Sequence, residues 1–87
     1  MAEITFTEIG WEQYIGWQSE DRKTLKKINK LLKSIERDGP MNGEGKPEKL
    51  IHYPGSYSRR IDEANRLVYE VSGGQIIIKA CKGHYED

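Results

Sequence analysis

The sequence predicts an α+β fold in which two N-terminal helices pack on a twisted, mainly antiparallel β-sheet. The spacing of apolar residues changes along the 87 residues, and this change is the main indication. After a short opening strand, apolar residues recur every three or four positions, which is typical of helices; beyond residue 47 they recur at every second position, which is typical of strands. The length suits one domain over residues 1–87.

The first twenty residues predict one strand and one helix. Residues 2–6 alternate and contain β-formers, so they are expected to form a strand. Thr7 is a suitable N-cap for the helix that follows. We expect the aromatic residues of this helix, Trp11, Tyr14 and Trp17, to serve in core and helix packing.

A second helix is predicted over about residues 22–37, with Asp21 as its N-cap. Its apolar residues form one stripe at steps of three and four: Leu25, Ile28, Leu31, Leu32 and Ile35. Asp38-Gly39-Pro40 ends the helix. Because few residues separate the two helices, they are expected to form an antiparallel hairpin.

The C-terminal half predicts the sheet. A loop rich in glycine and proline over residues 39–47 precedes it. Strands are predicted near residues 48–52, 56–62, 65–72 and 75–81. Turns at residues 62–65 and at Ser72-Gly73-Gly74 join consecutive strands, so the sheet should be mostly antiparallel.

The formal net charge is zero, but the charges are segregated along the chain. Residues 1–21 contain five acids and no Lys or Arg, whereas residues 22–82 contain all 14 bases against seven acids, a balance of +7. This asymmetry is compatible with a polyanionic partner, and a solvated helix face would produce the same pattern.

The sequence contains no sign of a membrane segment, an exported protein or a metal site. No apolar run approaches the roughly 20 residues of a membrane span, and no signal peptide is visible. The single Cys81 excludes an internal disulfide and is expected to be a buried core residue, which suits a reducing cytoplasm. The two histidines, His52 and His84, do not have metal-ligand spacing, so we expect no metal or other cofactor.

The predicted sheet half contains the groups needed to cleave RNA without a cofactor. Such a reaction uses a base for the 2′-hydroxyl, cations for the charge that develops on the phosphate, and an acid for the departing 5′-oxygen. Glu48 is the candidate base, since glutamate is ionised at neutral pH, and His84 is the candidate acid, since imidazole changes charge between about pH 5 and 8. Arg66 is the candidate to hold phosphate oxygens.

Five further residues are predicted to assist. Arg59, Arg60, Lys46 and Lys49 are candidates to bind the RNA backbone, and Tyr85 is a candidate to stack on a base or to contact a phosphate. Taken singly, such residues are more often ordinary surface or packing residues, and their spacing is a weak signal. Together they favour a site, because all of them lie in the predicted sheet half.

These residues fall in motifs through which the chain resembles the YoeB/Txe family of bacterial type II toxins, within the RelE-like superfamily. The motifs follow the family's order and spacing over essentially the whole chain: Trp11 to Gln18, Lys26 to Asn29, Gly45-Lys46-Pro47-Glu48, Ser58-Arg59-Arg60-Ile61, Arg66-Leu67-Val68-Tyr69 and Ala80-Cys81-Lys82-Gly83-His84-Tyr85. The resemblance implies the microbial-RNase fold and a toxin that cleaves mRNA in the ribosomal A site, inhibits translation and is neutralised by an antitoxin of the YefM/Axe type.

By position, the resemblance implies roles for five residues. Glu48 matches the general base, Arg66 the transition-state arginine and His84 the general acid. Tyr85 matches the C-terminal tyrosine, and Arg59 a substrate-binding arginine. The resemblance also implies a possible homodimer and contact with operator DNA only through the antitoxin complex.

Three features depart from the family pattern, and two alternatives stay open. Ile51 replaces a basic residue of a close relative, Asn65 replaces a histidine, and Glu86-Asp87 extends the usual terminus. The alternatives are a non-catalytic toxin of the same fold that acts on gyrase, as ParE-type toxins do, and an antitoxin-bound corepressor. The complete acid–base set favours the nuclease over the gyrase-type toxin, and the corepressor role can coexist with the nuclease.

Overall fold

The computed structural model describes residues 3–84, which form the predicted α+β architecture. The elements in chain order are strand β1 (Glu3–Phe6), helices α1 (Glu8–Glu20) and α2 (Arg22–Asp38), and strands β2 (Glu48–Lys49), β3 (Ser56–Arg60), β4 (Arg66–Ser72) and β5 (Gln75–Ala80). Neither of the helices in this part of the chain has the length and apolar character that a membrane crossing requires.

The five strands form one sheet in the order β1-β5-β4-β3-β2. The three pairings among β2, β3, β4 and β5 are antiparallel, which confirms the predicted sheet type. The remaining pairing is parallel and joins β1 to β5, the first strand to the last. The two helices therefore lie in the connection between β1 at one edge of the sheet and β2 at the other.

Strand β2 is shorter than predicted. The prediction covered residues 48–52, whereas the strand ends at Lys49 and bends and turns follow over residues 51–55. The chain reverses in this segment, because the Leu50 N–H donates to the Ser56 carbonyl at 2.9 Å and the Ser56 N–H to the Tyr53 carbonyl at 3.0 Å. Only Glu48 and Lys49 are left to pair with β3.

Both helices begin at the predicted caps. Thr7 Oγ1 accepts a hydrogen bond from the Gly10 N–H at 3.1 Å. Asp21 Oδ1 accepts from the Lys23 and Thr24 N–H groups at 3.0 and 3.4 Å. Hydrogen bonds from the side chain and the backbone of Thr24 hold the pKa of Asp21 below its ordinary value. Asp21 also follows the last residue of α1, so a single residue connects the helices.

The core lies between the helices and one face of the sheet. Its buried members are Trp17, Ile28, Leu31, Leu32, Ile35, Ile61, Leu67, Tyr69, Ile76, Ile78 and Cys81. Trp17 Nε1 donates to the Cys81 carbonyl at 2.9 Å, which ties α1 to the end of β5. Cys81 is buried, as predicted, and burial raises the pKa of its thiol to about 11. Trp11 packs against Phe6 and Tyr14, but it is 51% exposed and so lies outside the buried core.

Candidate active site

The face of the sheet that points away from the helices carries the candidate site. Alternate residues of a strand point to opposite faces. Because Arg59 contacts helix α2, its neighbours Ser58 and Arg60 lie on the other face of β3. The strand register then places Glu48 beside Ser58, and Arg66 beside Arg60. Residues far apart in sequence therefore share one patch.

Arg66 is the centre of this patch. Its Nη2 lies 3.6 Å from Oε2 of Glu48, and its Nε and Nη2 donate to Ser58 Oγ at 3.3 and 3.1 Å. The Arg66 side chain is 23% exposed and the Glu48 side chain 69% exposed. Within residues 3–84, Nη1 of Arg66 has no hydrogen-bond partner. The result is a cation held in place beside an accessible carboxylate, with one guanidinium nitrogen left for another anion.

The C-terminal segment is fixed at the same end of β4. The Arg66 N–H donates to the Gly83 carbonyl at 3.0 Å. The Gly83 N–H donates in turn to Oδ1 of Asn65 at 2.8 Å. His84 follows Gly83 directly and is exposed. The structure thus brings together Glu48, Arg66 and the backbone that carries His84, while Tyr85 lies outside the described residues.

The three predicted RNA-binding cations Lys46, Lys49 and Arg60 are all exposed, but they are distributed over different surfaces. Arg60 lies beside Arg66 on the site face. Lys46 immediately precedes the segment Pro47-Glu48 and has a positive φ of 50°, which is uncommon for a residue with a side chain. Lys49 pairs with Tyr57, so strand alternation places it on the face opposite to Glu48. Lys49 therefore does not join the patch.

Arg59 is not available to RNA, and the structure corrects this prediction. The residue is completely buried. All five guanidinium N–H groups donate hydrogen bonds of 2.7 to 3.1 Å to groups inside the protein: Tyr69 Oη, Ser34 Oγ and the carbonyls of Glu44, Gly39 and Asn42. The guanidinium ties the loop after α2 to the core, so its role in this structure is architectural.

The loop around Arg59 also requires a glycine. A Cβ on Gly43 would collide with Ser34 Oγ, and Gly43 has a positive φ of 98°. Ser34 Oγ donates to Asp38 at 3.0 Å and accepts from the Glu44 N–H at 3.0 Å. The same hydroxyl accepts from Arg59, so a side chain at position 43 would disrupt the contacts that hold this loop.

Ser58 and Asn65 contribute to the site, although neither was predicted to do so. Ser58 orients the guanidinium of Arg66, and Asn65 holds the amide of Gly83. In the sequence, Asn65 is distinguished only by its departure from a family pattern. Both act through contacts set by the strand register and by the return of the C-terminal segment, and the residue types alone give no signal for either.

Comparisons with known proteins connect this arrangement to bacterial toxins. A family model described as a YoeB-like toxin of bacterial type II toxin–antitoxin systems matches residues 6–85. Toxin YoeB of Streptomyces coelicolor is 48% identical to this chain over 83 residues, which cover 94% of this chain and 98% of that protein. The similarity therefore includes both ends of the candidate site, from Glu48 to His84.

Two solved structures from Staphylococcus aureus resemble the fold over nearly its full length. The YoeB dimer has a TM-score of 0.90 and 50% sequence identity, and the match covers 97% of this chain and 98% of that chain. The heterotetrameric YoeB–YefM toxin–antitoxin complex has a TM-score of 0.87 and 50% identity, with coverage of 98% and 99%. The observed sheet order and helix pair are therefore shared with solved toxins.

Proposed function

This chain belongs to the YoeB-like toxins of bacterial type II toxin–antitoxin systems, and we propose that it is an endoribonuclease that cleaves mRNA in the ribosomal A site. The observation that carries the proposal is the pair of Arg66 and Glu48, 3.6 Å apart, beside the backbone that leads into His84. RNA cleavage through its own 2′-hydroxyl requires a base, a cation and an acid, and Glu48, Arg66 and His84 are groups of these three kinds.

In the proposed reaction, Glu48 takes the proton of the 2′-hydroxyl while the 2′-oxygen attacks the adjacent phosphorus. Arg66 stabilises the added negative charge on the phosphate oxygens through its guanidinium, whose Nε and Nη2 are held by Ser58. The bond between phosphorus and the 5′-oxygen then breaks, and the imidazolium of His84 donates a proton to the departing oxygen. The products are a 2′,3′-cyclic phosphate, which can hydrolyse to a 3′-phosphate, and a 5′-hydroxyl.

The proposed reaction requires no metal or other cofactor, since Glu48, Arg66 and His84 supply every charge and proton. Each of the two proton transfers would contribute about 10²–10⁴-fold to the rate. Arg60 is the cation best placed to hold the adjacent backbone phosphate, because it lies beside Arg66 in the strand register. We assign Tyr85 to stacking on a base or contacting a phosphate near the cleaved bond.

We propose that the ribosome orients the mRNA for this reaction. On the site face, Glu48 and Arg60 are exposed side chains, which by themselves do not hold an RNA chain in one orientation. In-line attack needs the 2′-oxygen held close to the phosphorus, and orientation of this kind is worth many orders of magnitude in rate. A ribosomal scaffold that fixes the A-site codon would supply it.

The proposed partners follow from the same family membership. We propose that a YefM/Axe-like antitoxin neutralises the protein in the cytoplasm, that the toxin forms a homodimer, and that it meets operator DNA only through the antitoxin complex. The support is the S. aureus relative, which is 50% identical and is seen both as a dimer and in a heterotetramer with YefM. Light scattering of the purified toxin, alone and with a YefM-type antitoxin, measures both assemblies.

The activity is tested by mapping mRNA cleavage during in vitro translation by primer extension. The wild-type protein should cut at codons in the A site, and Glu48→Ala and His84→Gln should each lose about 10²–10⁴-fold in rate. Glu12→Ala is the matched control, because Glu12 is an exposed acid on helix α1. This variant should cleave mRNA at the wild-type rate.

Two results would contradict the proposal. Intact mRNA with folded wild-type protein would favour a non-catalytic toxin that acts on gyrase, which a DNA-supercoiling assay would then detect. Full cleavage by both Glu48→Ala and His84→Gln would show that other groups perform the chemistry, and the two residues would be surface charges only.

A further inference from the structure

The turn between β3 and β4 is bonded to the C-terminal segment that leads into His84. The turn covers residues 62–65. Oδ1 of its last residue, Asn65, accepts a hydrogen bond from the Gly83 N–H at 2.8 Å. The next residue, Arg66, donates its backbone N–H to the Gly83 carbonyl at 3.0 Å. Both polar backbone groups of Gly83 are therefore held by consecutive residues, one position before the candidate acid.

Asn65 itself is held in place by Asp62. Its Nδ2 donates to Oδ1 and Oδ2 of Asp62 at 3.1 and 3.2 Å, which leaves its Oδ1 to accept from Gly83. Asp62 Oδ1 also accepts from the Ala64 and Asn65 N–H groups, both at 2.8 Å. Burial raises the pKa of Asp62, but the hydrogen bonds from Asn65 and Ala64 outweigh it and hold this pKa below its ordinary value.

The amide of Asn65 has its orientation set by these contacts. A carboxylate accepts hydrogen bonds and donates none, so Asp62 selects the NH2 end of the amide. The oxygen end must then face the Gly83 N–H. The turn thus presents an acceptor of fixed direction to the C-terminal segment, and replacing Asn65 by alanine would remove that acceptor without removing any group of the proposed chemistry.

We propose that Asn65 is a positioning residue that sets the place of His84 through the backbone of Gly83. The inference rests on the proposed function, in which His84 protonates the 5′-oxygen. Displacement of a catalytic group by about 1 Å can cost about 100-fold in rate, so Asn65→Ala should slow cleavage by about 10–100-fold. Asn65→Asp keeps an acceptor oxygen but loses the Nδ2 donor and places a second carboxylate against Asp62, so it should not restore the wild-type rate.

A change of leaving group distinguishes positioning of the acid from general damage. The substrate is a ribosome-bound synthetic mRNA with a sulfur atom in place of the bridging 5′-oxygen at the A-site codon. A thiolate leaves without protonation, since thiols have pKa values near 8.5. On this substrate Asn65→Ala and His84→Gln should recover to nearly the wild-type rate, whereas Glu48→Ala should stay slow. Glu63→Ala, an exposed neighbour in the same turn, should match the wild type on both substrates.

Amide hydrogen exchange measures the bond without any cleavage. The Gly83 N–H should exchange about fivefold faster in Asn65→Ala, because loss of one hydrogen bond worth about 1 kcal/mol corresponds to that factor. Glu63→Ala should leave the exchange of the Gly83 N–H unchanged.

The outcomes separate the two hypotheses. A Gly83 exchange rate that is the same in Asn65→Ala and the wild type would overturn the inference, whether or not the protein cleaves mRNA. A cleavage defect of Asn65→Ala that persists on the sulfur substrate would also overturn it, while wild-type cleavage would leave the proposed function standing. Absence of cleavage by the wild type on both substrates would overturn the proposed function and this inference with it.

Discussion

Replacing Arg59 by methionine should be among the most damaging single substitutions in this chain. Methionine has a similar length and is apolar, so it can fill the space but cannot donate hydrogen bonds. The substitution removes all five hydrogen bonds of the guanidinium, whose acceptors are Tyr69 Oη, Ser34 Oγ and the carbonyls of Gly39, Asn42 and Glu44. The loop after α2 would then lose its main attachment to the sheet.

The size of the effect follows from these contacts. A hydrogen bond contributes about 0.5–1.5 kcal/mol, and one to a charged donor about 1.5–3 kcal/mol. The gain is offset in part by the cost of keeping a cation at 0% exposure, which methionine does not incur. We therefore expect the free energy of unfolding to fall by about 3–5 kcal/mol, because the carbonyls of Gly39, Asn42 and Glu44 lose this donor and an unsatisfied buried acceptor costs about 1–3 kcal/mol.

Thermal and urea denaturation followed by circular dichroism measure this loss. For a domain of this size, 1 kcal/mol corresponds to about 4–8 °C in Tm, so Tm should fall by at least about 12 °C. Arg60→Met is the matched control, since Arg60 is the next residue of the same strand and is exposed; its stability should change by less than about 0.5 kcal/mol. Equal stability of Arg59→Met and Arg60→Met would refute the reasoning, because it would show that the buried network contributes nothing.

Three further predictions concern glycines of helix α1, the buried cysteine and two hydrogen-bonded aspartates. Gly10→Ala should lower Tm, because a Cβ there would collide with the Ile78 carbonyl, whereas Gly16→Ala has open space and should stabilise the protein by about 0.5–1 kcal/mol. Cys81 should resist iodoacetamide at pH 8 until the protein unfolds, since its thiol is buried and its pKa is raised to about 11. Stability in urea should fall as the pH drops below about 4, because the pKa values of Asp21 and Asp62 are lowered in the folded state and their contribution is lost on protonation.

Each of these predictions has a result that contradicts it. Equal changes in Tm for Gly10→Ala and Gly16→Ala would show that α1 does not approach β5 as closely as described. Alkylation of Cys81 at the rate of a free thiol would show that the core opens readily. A urea midpoint that is constant from pH 6 to pH 2 would mean that the carboxyl hydrogen bonds do not persist in solution.

The secondary structure was predictable because its signals are local. The cap residues Thr7 and Asp21 and the turn glycines Gly73 and Gly74 lie within a few residues of the elements that they end or begin. The parallel pairing of β1 with β5 was not predicted, since it joins residues about 70 positions apart and depends on how the helices cross the sheet. The early end of β2 depends likewise on the hydrogen bonds that turn the chain toward Ser56.

The site was predictable to the extent that it depends on residue type. Glu48, Arg66 and His84 are the groups that the proposed chemistry needs; the structure places the first two in contact, and the Arg66 backbone bonds to Gly83, the residue before His84. Ser58 and Asn65 were not predicted, because their contribution is a hydrogen bond to one particular neighbour, Arg66 for Ser58 and Gly83 for Asn65. A serine or an asparagine has no property in the sequence that distinguishes a positioning contact from a solvated one.

The burial of Arg59 could be predicted from its position in the alternation of strand β3, although an arginine suggests an RNA contact. Tyr57 and Ile61, two positions to either side, are large apolar residues that pack against or within the core, so a residue at position 59 points the same way. Arg60 has the opposite phase and shares its face with Ser58 and, across the register, with Arg66. Consecutive arginines of one motif therefore differ in role: the first holds the loop that leads toward Glu48, and the second is exposed on the site face. Before an arginine in a strand is assigned to a polyanion, the alternation of the strand should be used to decide which face of the sheet its side chain occupies.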